Sequence, residues 1–173
     1  MSIHIIIDGY NLIRRSSSLS TLDHQDIQLG REALLNTLSS YKRIKHHMIT
    51  VVFDGTHAPP LSQHKDRVNG IKIKFSRSGE TADNVIKRMA AREREKALVV
   101  SSDLNIVNFA ASKGAATISS PAFEEKITMA VYMDTKKDED QNQEGWVPTT
   151  KKKGPSRRLS KRKRRDRVKI KKL

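Results

Sequence analysis

A chain of 173 residues without cysteine has length for one sizeable core plus an appendage, and cannot form disulfides or thiolate metal sites. Its net charge of +15 is lopsided: residues 151–173 carry 14 of the 34 Lys and Arg but one of the 19 Asp and Glu, so residues 1–150 stand at only +2. No apolar run reaches membrane-spanning length, and a strand-like run begins at Ile3 with no room for a signal peptide. A cytoplasmic protein with no membrane partner is expected.

The first element is Ile3-His4-Ile5-Ile6-Ile7, a β-branched run apolar on both faces, as a central parallel strand is. It ends at Asp8-Gly9, read as a turn pair that leaves a carboxylate at the strand's end. Asn11 stands three residues on, close enough to fold back beside Asp8. Arg14 to Leu22, rich in serine, reads as a polar loop over that edge. A helix follows from Asp23 or Asp26 to Lys45, with Ile27, Leu34, Leu38 and Tyr41 at helical spacing and cations at its end.

Met48 to Phe53 is a second buried strand, again closed by Asp54-Gly55. His57 to Asn69 contains Pro59-Pro60 and no period, hence a loop. Ile71-Lys72-Ile73-Lys74-Phe75 alternates apolar and basic residues, which predicts an edge strand with one wet face blunted by lysine. A helix from Glu80 or Thr81 to Glu95 carries Asp83 in its first turn. Ala97 to Val100 is the fourth strand, ending in Ser101-Ser102-Asp103, and Asp103 opens a helix to Lys113. Thr117-Ile118 is a short fifth strand, and Ser120-Pro121 starts a last helix through Met133.

Strands alternating with helices predict a three-layer α/β sandwich on a parallel five-stranded sheet. Parallel strands bring Asp8, Asp54 and Asp103 to one edge, with Asp83 at a helix start on that edge. Any one of these acids alone could merely cap a helix or start a turn. Together they repel unless a cation sits among them, and hard oxygen donors favour Mg²⁺ or Mn²⁺. Such a site suits metal-assisted phosphodiester hydrolysis. The six histidines have no metal-ligand spacing and read as surface or loop residues, and Ser102 has no His–acid pattern for nucleophilic catalysis. Tyr10 stands where a haloacid-dehalogenase-type phosphatase needs a second Asp, and no glycine fingerprint marks a dinucleotide site, so no small-molecule cofactor is expected.

The stretches Ile7-Asp8-Gly9-Tyr10-Asn11-Leu12-Ile13, Val51-Val52-Phe53-Asp54-Gly55, Gly79-Glu80-Thr81-Ala82-Asp83 and Val100-Ser101-Ser102-Asp103 resemble, in order, the motifs of the YacP-like NYN domain within the PIN-like ribonuclease fold. The resemblance spans residues 3–133. It implies strand order 3-2-1-4-5 and a metal-dependent endoribonuclease. It also implies catalytic roles for Asp8, Asn11, Asp83 and Asp103, with Asp8, Asp83 and Asp103 as metal ligands and Asp54 and Glu80 behind them. One departure stands out: where PIN-like enzymes often add an acid after the fifth strand, Ser119-Ser120-Pro121 is found, with Glu124 the nearest substitute. A non-catalytic RNA- or ribosome-binding protein on this fold is the alternative.

The expected organisation is a nuclease domain over 1–133, a charged flexible linker over 134–150 and a basic, disordered tail over 151–173. The tail's Lys151, Lys152, Lys153, Arg157, Arg158, Lys161, Arg162, Lys163, Arg164 and Arg165 would contact phosphates of mRNA or ribosomal RNA, on the ribosome or free. It has no aromatic residue on which bases could stack.

Overall fold

The computed structural model describes residues 3–58, 66–139 and 160–173. Its centre is β1 (His4–Asp8), every residue of which is buried. Successive side chains of a strand point to opposite faces, and β1 uses both. Ile5 and Ile7 join one apolar cluster, while Ile6 joins a second on the other face. Both faces must therefore be covered, and helices on each side do so.

The other strands are β2 (Met48–Phe53), β3 (Arg67–Val68), β4 (Ile71–Phe75), β5 (Ala97–Val100) and β6 (Ala116–Ile118). The sheet has six strands in the order β3-β4-β2-β1-β5-β6. β4, β2, β1, β5 and β6 run parallel, and β3 is antiparallel to β4. The five parallel strands thus follow the expected order, and the sixth is the two-residue β3, inside the stretch expected to be a loop. Val68 pairs with Ile71 and Arg67 with Lys72, so β4 is not the sheet's outermost strand.

On one face lie α1 (Gly9–Arg15), α2 (Ser17–Gln25), α3 (Ile27–Lys45) and α6 (Ser120–Glu139). Leu12, Ile13, Leu34, Leu38, Tyr41, Phe123 and Ile127 fill the space over Ile5, Ile7, Val51 and Leu98. On the other face α4 (Ala82–Glu93) and α5 (Leu104–Ser112) bring Val85, Ile86, Met89, Ile106 and Ala110 against Ile6, Val52 and Val99. Burying each of these large aliphatic side chains contributes about 1.5–3 kcal/mol, so the helices are held by packing more than by propensity.

Arg14 to Leu22 is helical rather than a loop. Ser16 ends α1 and caps α2, accepting the Leu19 amide at 3.3 Å. The serines that suggest a loop supply that cap, while Leu12, Ile13 and Leu19 anchor the two helices inward. α6 continues past Met133 to Glu139. His4 is not a surface residue: it is buried in β1, its Nδ1 2.5 Å from a Glu93 carboxylate oxygen and its Nε2 2.8 Å from the Thr50 hydroxyl. Thr50 is itself buried, so this Thr–His–Glu line braces the sheet and offers no nucleophile.

The tail differs from expectation in its last part. Lys161–Lys172 forms a helix, α7, with Ser160 as its cap. Ile170 packs on the core, Leu173 is buried, and the Tyr41 hydroxyl donates to the Leu173 carbonyl at 3.2 Å. Arg165 pairs with Glu95. Charge repulsion is relieved because Lys163, Arg164, Arg165, Arg167, Lys171 and Lys172 stay exposed while the apolar end docks. Lys151 to Arg158, and most of the expected linker, lie outside the described residues.

Candidate active site

Four elements meet at the carboxyl ends of β1, β2 and β5. Asp8 closes β1 and is at once the cap of α1, so the strand runs straight into the helix without the expected turn. Gly9 is required there by packing, because a Cβ would lie 2.3 Å from the Phe53 ring. Asp54 caps a short 3-10 turn after β2, its Oδ1 accepting the Thr56 amide at 3.0 Å. Gly55 is confined in the same way: a Cβ would stand 2.1 Å from the Ser76 carbonyl oxygen. Asp83 is in the first turn of α4, and Asp103 caps α5. Asp8, Asp54, Asp83 and Asp103 line one open cleft of about 700 Å³ with Tyr10, Asn11, Arg14, Arg15, Thr56 and Ala82.

Asp8 is the hub. It is buried, with Oδ1 accepting the Asn11 amide at 3.3 Å and Oδ2 accepting the Ser101 hydroxyl at 3.0 Å. Burial pushes its carboxyl up from 3.8 to about 6, against those two hydrogen bonds and with the Asp83 and Asp103 charges. Both of those acids are thus close enough to be felt. Ser101 accepts the Asp103 amide at 3.1 Å, so one hydroxyl ties the β1 acid to the loop carrying the β5 acid. Asp103 Oδ1 takes the Asn105 and Ile106 amides at 2.7 and 3.4 Å, leaving Oδ2 out of the cap.

Asn11 has a different task from orienting Asp8 with its side chain. Its Oδ1 accepts the Ser102 amide at 2.9 Å and the Ser120 hydroxyl at 2.8 Å. Ser120 in turn donates its amide to the Ser102 hydroxyl at 3.2 Å. Asn11 therefore pins α1, the β5–α5 loop and the start of α6 together beneath the cleft. A serine stands where the additional acid would be, and it serves this brace. Glu124 is turned away from the cleft, where it accepts the Ser16 hydroxyl at 2.5 Å.

Glu80 lies in a neighbouring groove, ion-paired to Arg88, which holds its carboxyl below the usual range. α7 sits far from the acids. Its partners Glu95 and His47 precede β5 and β2, at the edge where the parallel strands begin. Arg14 and Arg15 in the cleft, and Ser101 buried behind it, are the residues that sequence reasoning missed. The two arginines fell in the misread loop, and the guanidinium of Arg14 lies 5.5 Å from the Tyr10 ring centre.

The donor set suits a hard divalent cation: oxygens only, with one carboxyl raised by burial and, less, by the neighbouring acids. Among the described residues no three His, Cys, Asp or Glu side chains stand close enough to hold an ion by themselves. Mg²⁺ does not need such a cage, since it is commonly held by one or two carboxylates, waters and substrate phosphates.

The model of the YacP-like NYN domain matches residues 5–172 of the chain. The chain belongs to this family, a branch of the PIN-like nucleases. The match takes in α7 as well as the sheet. The protein YacP of Bacillus subtilis is 27% identical over 86 residues, half of this chain and half of the relative's length. A crystal structure of Rae1 (YacP) from Bacillus subtilis has the same fold, with TM-score 0.68 and 22% identity over 80% of each chain. That of a single-substitution variant gives TM-score 0.66 and 20% identity over 83% of this chain and 86% of the other. No helix among the described residues is long and apolar enough to cross a membrane.

Proposed function

We propose that this family member is a metal-dependent endoribonuclease using Mg²⁺ or Mn²⁺. One observation carries the reading: a buried Asp8, raised to about 6, shares an arginine-walled cleft with Asp83 and Asp103. Of Asp8, Asp83 and Asp103, one or two would hold the ion together with waters and the substrate phosphate, with Asp54 at the rim. An ion bound there supplies positive charge opposite the scissile phosphate and makes a water a better nucleophile. Arg14 and Arg15 would take the phosphate oxygens, a role suited to the guanidinium fork. Ser101, and Asn11 through Ser102, would hold the loop carrying Asp103 beside Asp8. Hydrolysis adds one water across a phosphorus–oxygen bond, leaving a hydroxyl on one fragment and a phosphate on the other.

The substrate is RNA, messenger or ribosomal, and the exposed cations of α7 would contact further phosphates, through which the ribosome could be held. A chain that binds RNA without cutting it is the second reading, favoured by the lack of a ready-made three-ligand cage among the described residues. Incubating the purified chain with a mixed RNA pool and Mn²⁺, then sequencing the new ends, separates the two. New internal ends that vanish with chelation support the nuclease, and intact RNA that stays bound supports the alternative.

A further inference from the structure

The two lysines of β4 do not sit on a bare sheet edge. Ile71 and Ile73 point into the α3 side of the core. Lys72 and Lys74, by the alternation of a strand, point to the α4 side. α4 packs mainly over β1, β2 and β5. The face of β4 on that side is the floor of a groove of about 730 Å³, with Val85 and Arg88 of α4 as one wall.

Its charge is one-sided. Arg67, Lys72, Lys74, Arg77 and Arg88 line it against Asp66 and Glu80, and Glu80 is already paired with Arg88. Burial, then the charges of Lys72, Arg92 and Arg88, pushes the Lys74 ammonium below its ordinary range. A cation held among cations marks a surface awaiting an anion.

The groove adjoins the acidic cleft. Ser76, the residue before Arg77, gives its amide to the Phe53 carbonyl at 3.0 Å and takes the Gly55 amide on its hydroxyl at 2.9 Å. Asp54 and Thr56 of the cleft flank that seam. On the far side, Glu80 of the groove and Asp83 of the cleft are three residues apart at the start of α4.

We infer that this β4–α4 groove is the binding track for the single-stranded RNA backbone on one side of the cut. Alternate residues of a strand are about 6.6 Å apart, close to the repeat of an extended polynucleotide, so Lys72 and Lys74 meet successive phosphates. The track rests on the nuclease reading for its direction into the cleft, but phosphate binding in it does not.

The test is RNA affinity of the full chain, measured with metal chelated so that nothing is cut. A fluorescent single-stranded RNA is titrated at several salt concentrations against wild type, Lys72→Gln/Lys74→Gln and Lys72→Arg/Lys74→Arg. Each lost phosphate contact flattens the log–log salt dependence by about 0.7, so the Gln pair should lower the slope by about 1.4. The Arg pair should keep the wild-type slope, which a merely structural role of the lysines would not require. With Mn²⁺ present, the Gln pair should raise KM and leave kcat. Unchanged slope and affinity in the Gln pair would overturn the track, as would a loss equal at all salt concentrations. If wild type cuts no RNA yet the slope still falls, the nuclease reading fails and the track stands.

Discussion

The Ser101 hydroxyl gives its proton to Asp8 Oδ2 at 3.0 Å and accepts the Asp103 amide at 3.1 Å, so it joins the two acids that end neighbouring strands. It is fully buried, and its bond to a carboxylate is of the stronger, charge-assisted kind. Ser101→Ala should raise the Asp8 pKa further above about 6 and move the acid limb of the pH–activity profile upward. It should cost about 1.5–3 kcal/mol of stability at pH 8, where Asp8 is ionised, and less at pH 4.5. Urea unfolding at the two pH values reads the difference, and an equal loss at both would contradict the charge-assisted bond.

The raised Asp8 pKa has a definite sign in stability. A group whose folded pKa exceeds its unfolded value favours the fold at low pH, and that contribution is lost as pH rises through the folded value. Here the window runs from 3.8 to about 6. Without metal, the cost of ionised Asp8 at pH 8 is about 3 kcal/mol. Asp8→Asn should therefore raise the metal-free melting temperature at pH 8 and change it little at pH 4. Mn²⁺ should stabilise wild type at pH 8 and not the variant. A variant with the wild-type pH dependence would show that Asp8 carries no such shift.

Asn11 can be separated into acceptor and charge. Asn11→Ala strands the buried ends of two hydrogen bonds, from Ser102 and Ser120, and should lose about 1–3 kcal/mol. Asn11→Asp keeps the acceptor, so the fold should survive while a further negative charge raises the Asp8 pKa. Chemical denaturation of both variants decides this. If Ala and Asp destabilise equally, Oδ1 is not the brace.

The docked helix gives the tail a structural part. Leu173→Ala removes a buried side chain and should lower stability by about 2 kcal/mol. Removing 160–173 should lower the melting temperature as well as the salt slope of RNA binding. A freely hanging tail would change only the slope. Thermal unfolding of the truncated chain against the full chain distinguishes them.

Much of this was legible in the sequence because the sheet is buried on both faces. Ile5 to Ile7, Met48 to Phe53 and Ala97 to Val100 stand out as apolar runs, and each is followed by an acid that parallel strands bring to one edge. Glu80 fell outside the cleft because spacing alone cannot tell which acid of Glu80-Thr81-Ala82-Asp83 faces the other strands. Arg14 and Arg15 were hidden by the serines around Ser16, whose capping bond depends on where Leu19 packs. The helix ending at Lys172 was hidden by its cations, since Ile170 and Leu173 are too few to give a period. The bonds of Ser101 and Asn11 depend on register between β1 and β5, where Ile7 pairs with Val100. Periodicity does not carry that information.

Asp8 and Asp103 are proposed to form a cation-dependent cutting site for RNA. Its most direct measurement is cleavage of a single-stranded RNA by wild type, Asp8→Asn and Asp103→Asn at equal Mn²⁺, with binding followed in parallel. Wild type should cut, chelation should stop it, and each variant should lose cleavage by orders of magnitude while still binding. Cleavage by Asp8→Asn at the wild-type rate, or cleavage that persists with the metal removed, would contradict the account.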